Sequence, residues 1–406
     1  MLVLLALCLV GFAQTSPLTP KHLKPDPIQA KSDNEDTWLS VPEIITKYGY
    51  PCEEYHITTP DNYILTLHRI PHGKNSKVAP SEVAYLQHGI LSSSADWIIS
   101  GPSKGLAYVL ADEGYDVWMG NARGNKLSRN HTYLNPNTSD EFWDFSWHEI
   151  GYYDLPAMID FVLEKTNKDS LFHIGHSQGT TTFYVMMSMR PDYNAKVKAH
   201  FSLAPIGFMN HMTSPLMHII AFWQKPMGLL LNLIGIREFL PSNDFMSLGG
   251  NILCGDDSLT QVLCTNALFA ICGFSPKEMN GTLLPIMSGH TPAGASTKQF
   301  LHYAQEINSG HFRRYDYGMV GNLQKYGSIW APDYDLKKIT APVYIHYSNN
   351  DWLSGKTDVD RLYSGLANVQ GKFLVAEDSF NHLDYVFGIR ARELVYNKVI
   401  SLMKRH

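Results

Sequence analysis

Two stretches of this 406-residue chain match G-x-S-x-G: "GPSKG" at 101–105 and "GHSQG" at 175–179. A serine set between two such glycines can serve as a nucleophile toward a carbonyl carbon. Its hydroxyl is weak alone and needs a base within hydrogen-bond reach, with a third group to orient that base. A five-residue pattern also arises by chance. The elements around each serine must therefore decide between Ser103 and Ser177.

Ser177 has the context of a nucleophile elbow, which requires a buried strand before the serine and a helix after it. "LFHIG" (171–175) reads as the strand and "GTTTFYVMMSMR" (179–190) as a helix running up to Pro191. Gly175 and Gly179 lack Cβ atoms, so a tight turn can pack against its neighbours while Ser177 takes a strained backbone conformation. Ser103 follows Gly89 too closely for a strand and a crossover helix to fit between them. Pro102 also fixes φ just before it, so Ser103 reads as a loop serine ahead of a helix.

Asp351 ends the stretch "APVYIHYSNND" (341–351) and His382 stands in "SFNHLDY". With Ser177 these give the order Ser, Asp, His that this strand–turn–helix plan uses. Asp384 and Asp335 are rival acids: the first is too close in sequence to His382 to orient it easily, and the second precedes the strand. The oxyanion formed on attack needs two backbone N–H donors. Gln178, just after the nucleophile, supplies one, and Ile90 in the "QHGI" loop supplies the other. His88 reads as a structural hydrogen-bonding residue, not as the base.

These residues need a scaffold, and the chain has one in an alternating pattern. "EYHITT" (54–59) and "YILTLHRI" (63–70) flank Pro60-Asp61-Asn62 as a β-hairpin. "EVAYLQHG" (82–89), "YDVWMGN" (115–121), "LFHIG" and "KAHFSLAP" (198–205) read as strands, separated by helical stretches at 105–114, 153–166 and 179–190. The alternation implies right-handed βαβ units, hence an α/β hydrolase fold class with a mostly parallel central sheet flanked by helices. It breaks off after Pro205. It resumes at 341–351 and at "KFLVAEDSFNH" (372–382), followed by a terminal helix over 389–404. The expected division is a signal peptide at 1–13, an arm rich in proline and charge at 14–37, a core of 38–205 and 331–406, and an inserted mainly helical cap at 206–330.

The net charge of −5 gives no reason to expect a nucleic-acid partner. The opening apolar run is too short to span a bilayer, and Gly11 and Ala13 suit a signal-peptide cleavage site. No transmembrane segment is expected. Export takes Cys8 away with the signal and brings Cys52, Cys254, Cys264 and Cys272 into an oxidising compartment. Cys254 and Cys264 close a short loop and are the first candidates for a pair, the alternative being four small buried hydrophobes. Asn130-His-Thr, Asn137-Thr-Ser and Asn280-Gly-Thr are glycosylation sequons. No H-E-x-x-H cluster is present, and no metal is expected.

Across nearly the whole mature chain the sequence resembles the acid lipase family, which contains gastric and lysosomal acid lipases. The stretches that carry the resemblance are "YILTLHRIPHG", "LQHGILSSSADW", "GYDVWMGNARGN", "GHSQGTT", "LLCTNALFAICGF", "HTPAGAST" and "NHLDYVFG". It implies an α/β hydrolase with a cap and movable lid, a carboxylic ester hydrolase acting on triacylglycerols or sterol esters at a lipid–water interface, as a monomer without a cofactor. By motif position it carries the nucleophile onto Ser177, the acid onto Asp351, the base onto His382 and the oxyanion donors onto Ile90 and Gln178. It pairs Cys254 with Cys264 and leaves Cys272 free. Ile90 stands where leucine is usual, which matters little because the backbone donates, and Cys52 has no evident partner. The alternatives are an esterase or acyltransferase for smaller esters, and a non-catalytic lipid-binding relative, which would be expected to have lost a member of the triad. The apolar pieces of 205–240, such as "HIIAFW", are expected to meet lipid.

Overall fold

The structure is a computed structural model that describes residues 34–76, 80, 82–224, 226, 228, 235–240 and 269–406. The expected signal peptide, most of the arm, and both Cys254 and Cys264 lie outside the described residues.

The hairpin forms as β1 (Glu53–Thr58) and β2 (Tyr63–Ile70), antiparallel across the turn at Asp61-Asn62. Strands β3 (Glu82–Gln87), β4 (Tyr115–Gly120), β6 (Leu171–His176), β7 (Val197–Leu203), β10 (Val343–Tyr347) and β11 (Val369–Leu374) follow, while β5 (Asn130–His131) is a short addition to the edge of β2. The order across the sheet is β1-β2-β4-β3-β6-β7-β10-β11. From β4 to β11 every pairing is parallel, and β2 meets β4 antiparallel.

The helices that flank the sheet are α1 (Leu106–Asp112), α2 (Leu155–Thr166), α3 (Gln178–Met189), α6 (Lys356–Gly365) and α7 (Asn397–Met403), while α4 (Pro215–Phe222) and α5 (Thr297–Ser309) lie in the chain between β7 and β10. Successive strand residues point to opposite faces, so Tyr85 packs with α2 and α3 while Leu86 packs with α1 and α7. Both faces are buried, so the central strands are mostly apolar, and the polar residues they carry, such as His173 and His200, are buried with them.

Two boundaries depart from the sequence reading. The helix expected from 153 begins at Trp147, where Ser146 and Glu149 form a capping box, and passes through a wide turn over Ile150–Asp154 before α2. That turn carries Asp154 inward, where it receives both the backbone N–H and the Nε–H of buried Arg123. The last strand runs over Val369–Leu374, not 372–382. After Val375 donates to Tyr347 the chain leaves the sheet, and the rest of the stretch becomes the loop that holds His382.

In the region expected as a cap, α4 packs on α5. Strands β8 (Glu238–Phe239) and β9 (Ala295–Ser296) pair beside them. Among the described residues no helix is long and apolar enough to cross a membrane.

Candidate active site

Ser177 sits between the end of β6 and the start of α3, at φ 53° and ψ −119°. A non-glycine residue there stores roughly 1–3 kcal/mol of strain, which the surroundings must hold. They do so closely: the Ser177 N–H donates to Leu203 O of β7 at 3.1 Å. A Cβ on Gly179 would lie 2.2 Å from Gln87 O, so the first turn of α3 rests directly on the end of β3. Any side chain there would push the nucleophile away from the neighbouring loop.

The structure brings Ser177, His382 and Asp351 together. His382 Nε2 is 2.8 Å from Ser177 Oγ, and His382 Nδ1 is 2.9 Å from each carboxylate oxygen of Asp351. A carboxylate accepts, so Nδ1 bears the hydrogen and Nε2 is left to take the serine proton. Asp351 also accepts N–H donors from Leu353 at 3.0 Å and Ser354 at 2.8 Å, which fix its rotamer. All three side chains are buried.

The loop that follows β3 lies against Ser177. A Cβ on Gly89 would stand 3.2 Å from Ser177 Cβ, close enough that a side chain there would press Ser177 by a few tenths of an ångström. Gln178 opens α3, so its N–H is one of the first-turn donors that lack an intrahelical acceptor. Ile90 follows Gly89 in the loop and its side chain packs on the core.

His88 plays the structural part. Its Nε2 accepts the Ala122 N–H at 3.1 Å, so Nδ1 carries the hydrogen and donates to Gly89 O at 2.7 Å. Burial pushes its pKa down to about 4 and keeps the ring neutral. Behind it Asn125 Nδ2 lies 3.2 Å from His88 Nε2, 3.3 Å from Ser92 O and 3.2 Å from Asn121 Oδ1. The "GNARGN" stretch is thus a bracket for the loop after β3, a role that sequence reasoning missed. From the other side Ala293 N–H donates to Leu91 O at 2.7 Å, so "HTPAGAST" braces the same loop.

The loop that holds His382 is anchored by Cys272 and Gly273, within the stretch expected as the cap. Cys272 O accepts N–H groups from His382 at 3.3 Å and Trp352 at 3.4 Å, and Asn381 Nδ2 donates to Gly273 O at 2.8 Å. Cys272 is a buried free thiol whose pKa burial raises far above the ordinary value, and Cys52 is also free. Asp384 accepts the Asn381 N–H and Asp335 caps a turn at Lys337, so neither rival acid touches the base. Ser103 is exposed in the turn before α1, with its carbonyl accepting from Arg392 at 3.3 Å.

Asn130 and Asn137 are exposed and Asn280 is partly so. Among the described residues no group of three His, Cys, Asp or Glu is placed to hold a metal.

Two family models match the chain: a partial alpha/beta-hydrolase lipase region over residues 41–101 and the alpha/beta hydrolase fold over 85–234. Lipase 3 of Drosophila melanogaster is 45% identical over 90% of this chain and 92% of its own. Gastric triacylglycerol lipase of Rattus norvegicus is 40% identical over 91% and 93%. Lysosomal acid lipase/cholesteryl ester hydrolase of Macaca fascicularis is 37% identical over 92% of each chain. A solved structure from Sulfolobus solfataricus superposes with a TM-score of 0.58 at 12% identity, covering 87% of this chain and 94% of that one, a likeness of fold alone.

Proposed function

The chain belongs to the α/β-hydrolase lipase family of the gastric and lysosomal acid lipases, and from that membership we propose that it hydrolyses the ester bonds of neutral lipids, triacylglycerols or sterol esters, through an acyl-enzyme on Ser177. The observation that carries this reading is the relay from Asp351 through His382 to Ser177 Oγ, with 2.9 and 2.8 Å between successive partners. In the proposed reaction Ser177 Oγ bonds to the ester carbon as its proton passes to His382 Nε2. Asp351 stabilises the imidazolium so formed.

The carbonyl oxygen becomes an oxyanion received by the N–H groups of Ile90 and Gln178, each donor being worth roughly 10²–10³ in rate. Collapse breaks the ester C–O bond, and the departing alcohol takes the proton from His382. Water then gives a proton to the same nitrogen as its oxygen bonds to the acyl carbon; the acyl–Oγ bond breaks, Ser177 Oγ takes the proton back from His382, and a carboxylic acid is released. No cofactor enters any step.

Removal of residues 1–13, secretion or delivery to lysosomes, glycans on Asn130, Asn137 and Asn280, and a Cys254–Cys264 bridge belong to the same reading, with 206–330 as the cap. Peptide mapping without reduction tests the bridge, and a join from Cys264 to Cys52 or Cys272 would refute it. The main experiment is activity on emulsified triacylglycerol and cholesteryl oleate across pH for the parent and Ser177→Ala, with a serine-directed phosphonate to mark the nucleophile. Activity lost with Ser177 and labelling on its peptide support the reading. Labelling at Ser103, or full activity in Ser177→Ala, overturns it.

A further inference from the structure

His176 ends β6 and immediately precedes the nucleophile. Its ring is buried, and its Nε2 lies 2.8 Å from the backbone carbonyl oxygen of His382. A carbonyl only accepts, so the hydrogen is on Nε2 and Nδ1 is a bare lone pair. That Nδ1 has no hydrogen-bond partner among the described residues and faces the oxyanion loop, 3.4 Å from where a Cβ on Gly89 would stand. The ring lies 5.1 Å from that of His382 and 6.3 Å from that of Tyr385.

The peptide units on either side of His382 are therefore held by different partners. The N–H is held by Cys272 O and the C=O by His176. The imidazole itself is held by Asp351. Of these, His176 alone shares a strand end with Ser177. Movement at the end of β6 carries the nucleophile and this handle on the base together, so the distance between Oγ and Nε2 is kept.

We infer that His176 is a positioning residue of the hydrolysis, whose Nε2–H grips the His382 carbonyl and fixes the base relative to the nucleophile while its ring backs the oxyanion loop. It touches no reacting atom. Burial first, and the neighbouring His382 second, push its pKa down to about 3, so the ring stays neutral on acidification until near that pH, and Nε2–H donates in either protonation state. The inference rests on the proposed roles of Ser177 and His382.

Three variants test it. In His176→Gln the amide Nε2 stands the same number of bonds from the backbone and can donate to His382 O. In His176→Asn the amide reaches only the Nδ1 position. His176→Phe keeps the ring and loses the donor. Misplacement of reacting groups by a fraction of an ångström to 1 Å costs up to roughly 100-fold. The expected result is a fall in kcat of about 10- to 100-fold for Phe and Asn with KM near that of the parent, a parallel fall in the rate of phosphonate labelling of Ser177, and recovery to within a few-fold for Gln, with the melting temperatures of Gln and Asn alike.

Equal activity of Gln and Asn, a Phe variant as fast as the parent, or a loss confined to KM would overturn the inference. Ser177→Ala, measured in parallel, separates that failure from failure of the serine assignment.

Discussion

Asn381 and Asp384 exchange hydrogen bonds across the turn that carries the base: the Asn381 N–H donates to Asp384 Oδ2 at 2.7 Å, and the Asp384 N–H donates to Asn381 Oδ1 at 3.1 Å. This reciprocal closure explains why an aspartate so near His382 is not its orienting acid. Burial pushes the Asp384 pKa up to about 7, with Glu278 and Asp351 adding like charge. Raised in the folded state, it makes the native protein the tighter proton binder, so stability rises as pH falls through about 7 and the gain is complete below the ordinary carboxyl value near 4. Asp384→Asn is expected to melt above the parent at pH 8, with the gap shrinking toward pH 5 in calorimetry.

Two imidazoles in the core act with the opposite sign. His173 Nδ1 and His200 Nδ1 lie 2.9 Å apart, so one ring donates and the other accepts. Burial lowers both, His173 to about 3. Their contribution is whole above the unfolded histidine value near 6.5 and drains away as pH falls toward that depressed range. Replacing both, His173→Leu with His200→Phe, removes the pair together and leaves Ser202 Oγ with its Tyr184 partner. At pH 5 the double variant is expected to take up about two fewer protons on unfolding, read from the slope of stability against pH.

At the site itself, Asp351→Asn leaves the position occupied but offers His382 Nδ1 an amide in place of a carboxylate. By analogy with the corresponding change in an unrelated serine protease, kcat is expected to fall by about 10⁴. Ser103→Ala, far from any base, is expected to stay within about twofold, the range of an exposed neutral substitution. Both are read on a soluble short-chain ester.

Phe222 is 77% exposed and Trp223 49%, with Ile219 beside them on α4. Exposed apolar area transferred to lipid is worth about 25 cal/mol per Å². Replacing Phe222 and Trp223 by serine is expected to raise the apparent KM on emulsified triacylglycerol several-fold while leaving the rate on a dissolved ester unchanged. Equal loss on both substrates would show that these side chains serve the fold and not the lipid surface.

The parts of the site carried by strand ends were legible in the sequence, because alternating apolar runs and short glycine turns have local causes. Ser177, Asp351 and His382 each follow a strand, and that context together with their order singled them out. The braces were not legible. Asn125, His176 and Cys272 act through contacts with chain far away in sequence, and nothing in their own neighbourhoods announces them. The early start of the helix at Trp147 was within reach, since Ser146 and Glu149 have capping-box spacing, but the wide turn that follows exists to bring Asp154 to Arg123, a tertiary demand. Of the expected lipid-facing pieces of 205–240, Phe208 and Ile220 are packed on the core, whereas Leu229, Leu230, Leu231 and Ile234 lie outside the described residues.

Ser177 and His382, the proposed nucleophile and base, are 205 residues apart along the chain. A ribosome adding about 5–20 residues each second needs roughly 10–40 s to travel from one to the other. Throughout that interval Ser177 has no proton acceptor, and the loop that will hold one does not yet exist. On the proposed mechanism the growing polypeptide is therefore chemically silent toward esters by the order of its own synthesis. A break anywhere between the two residues that removes the later part leaves a serine of ordinary reactivity, with no need for a separate inhibitory segment.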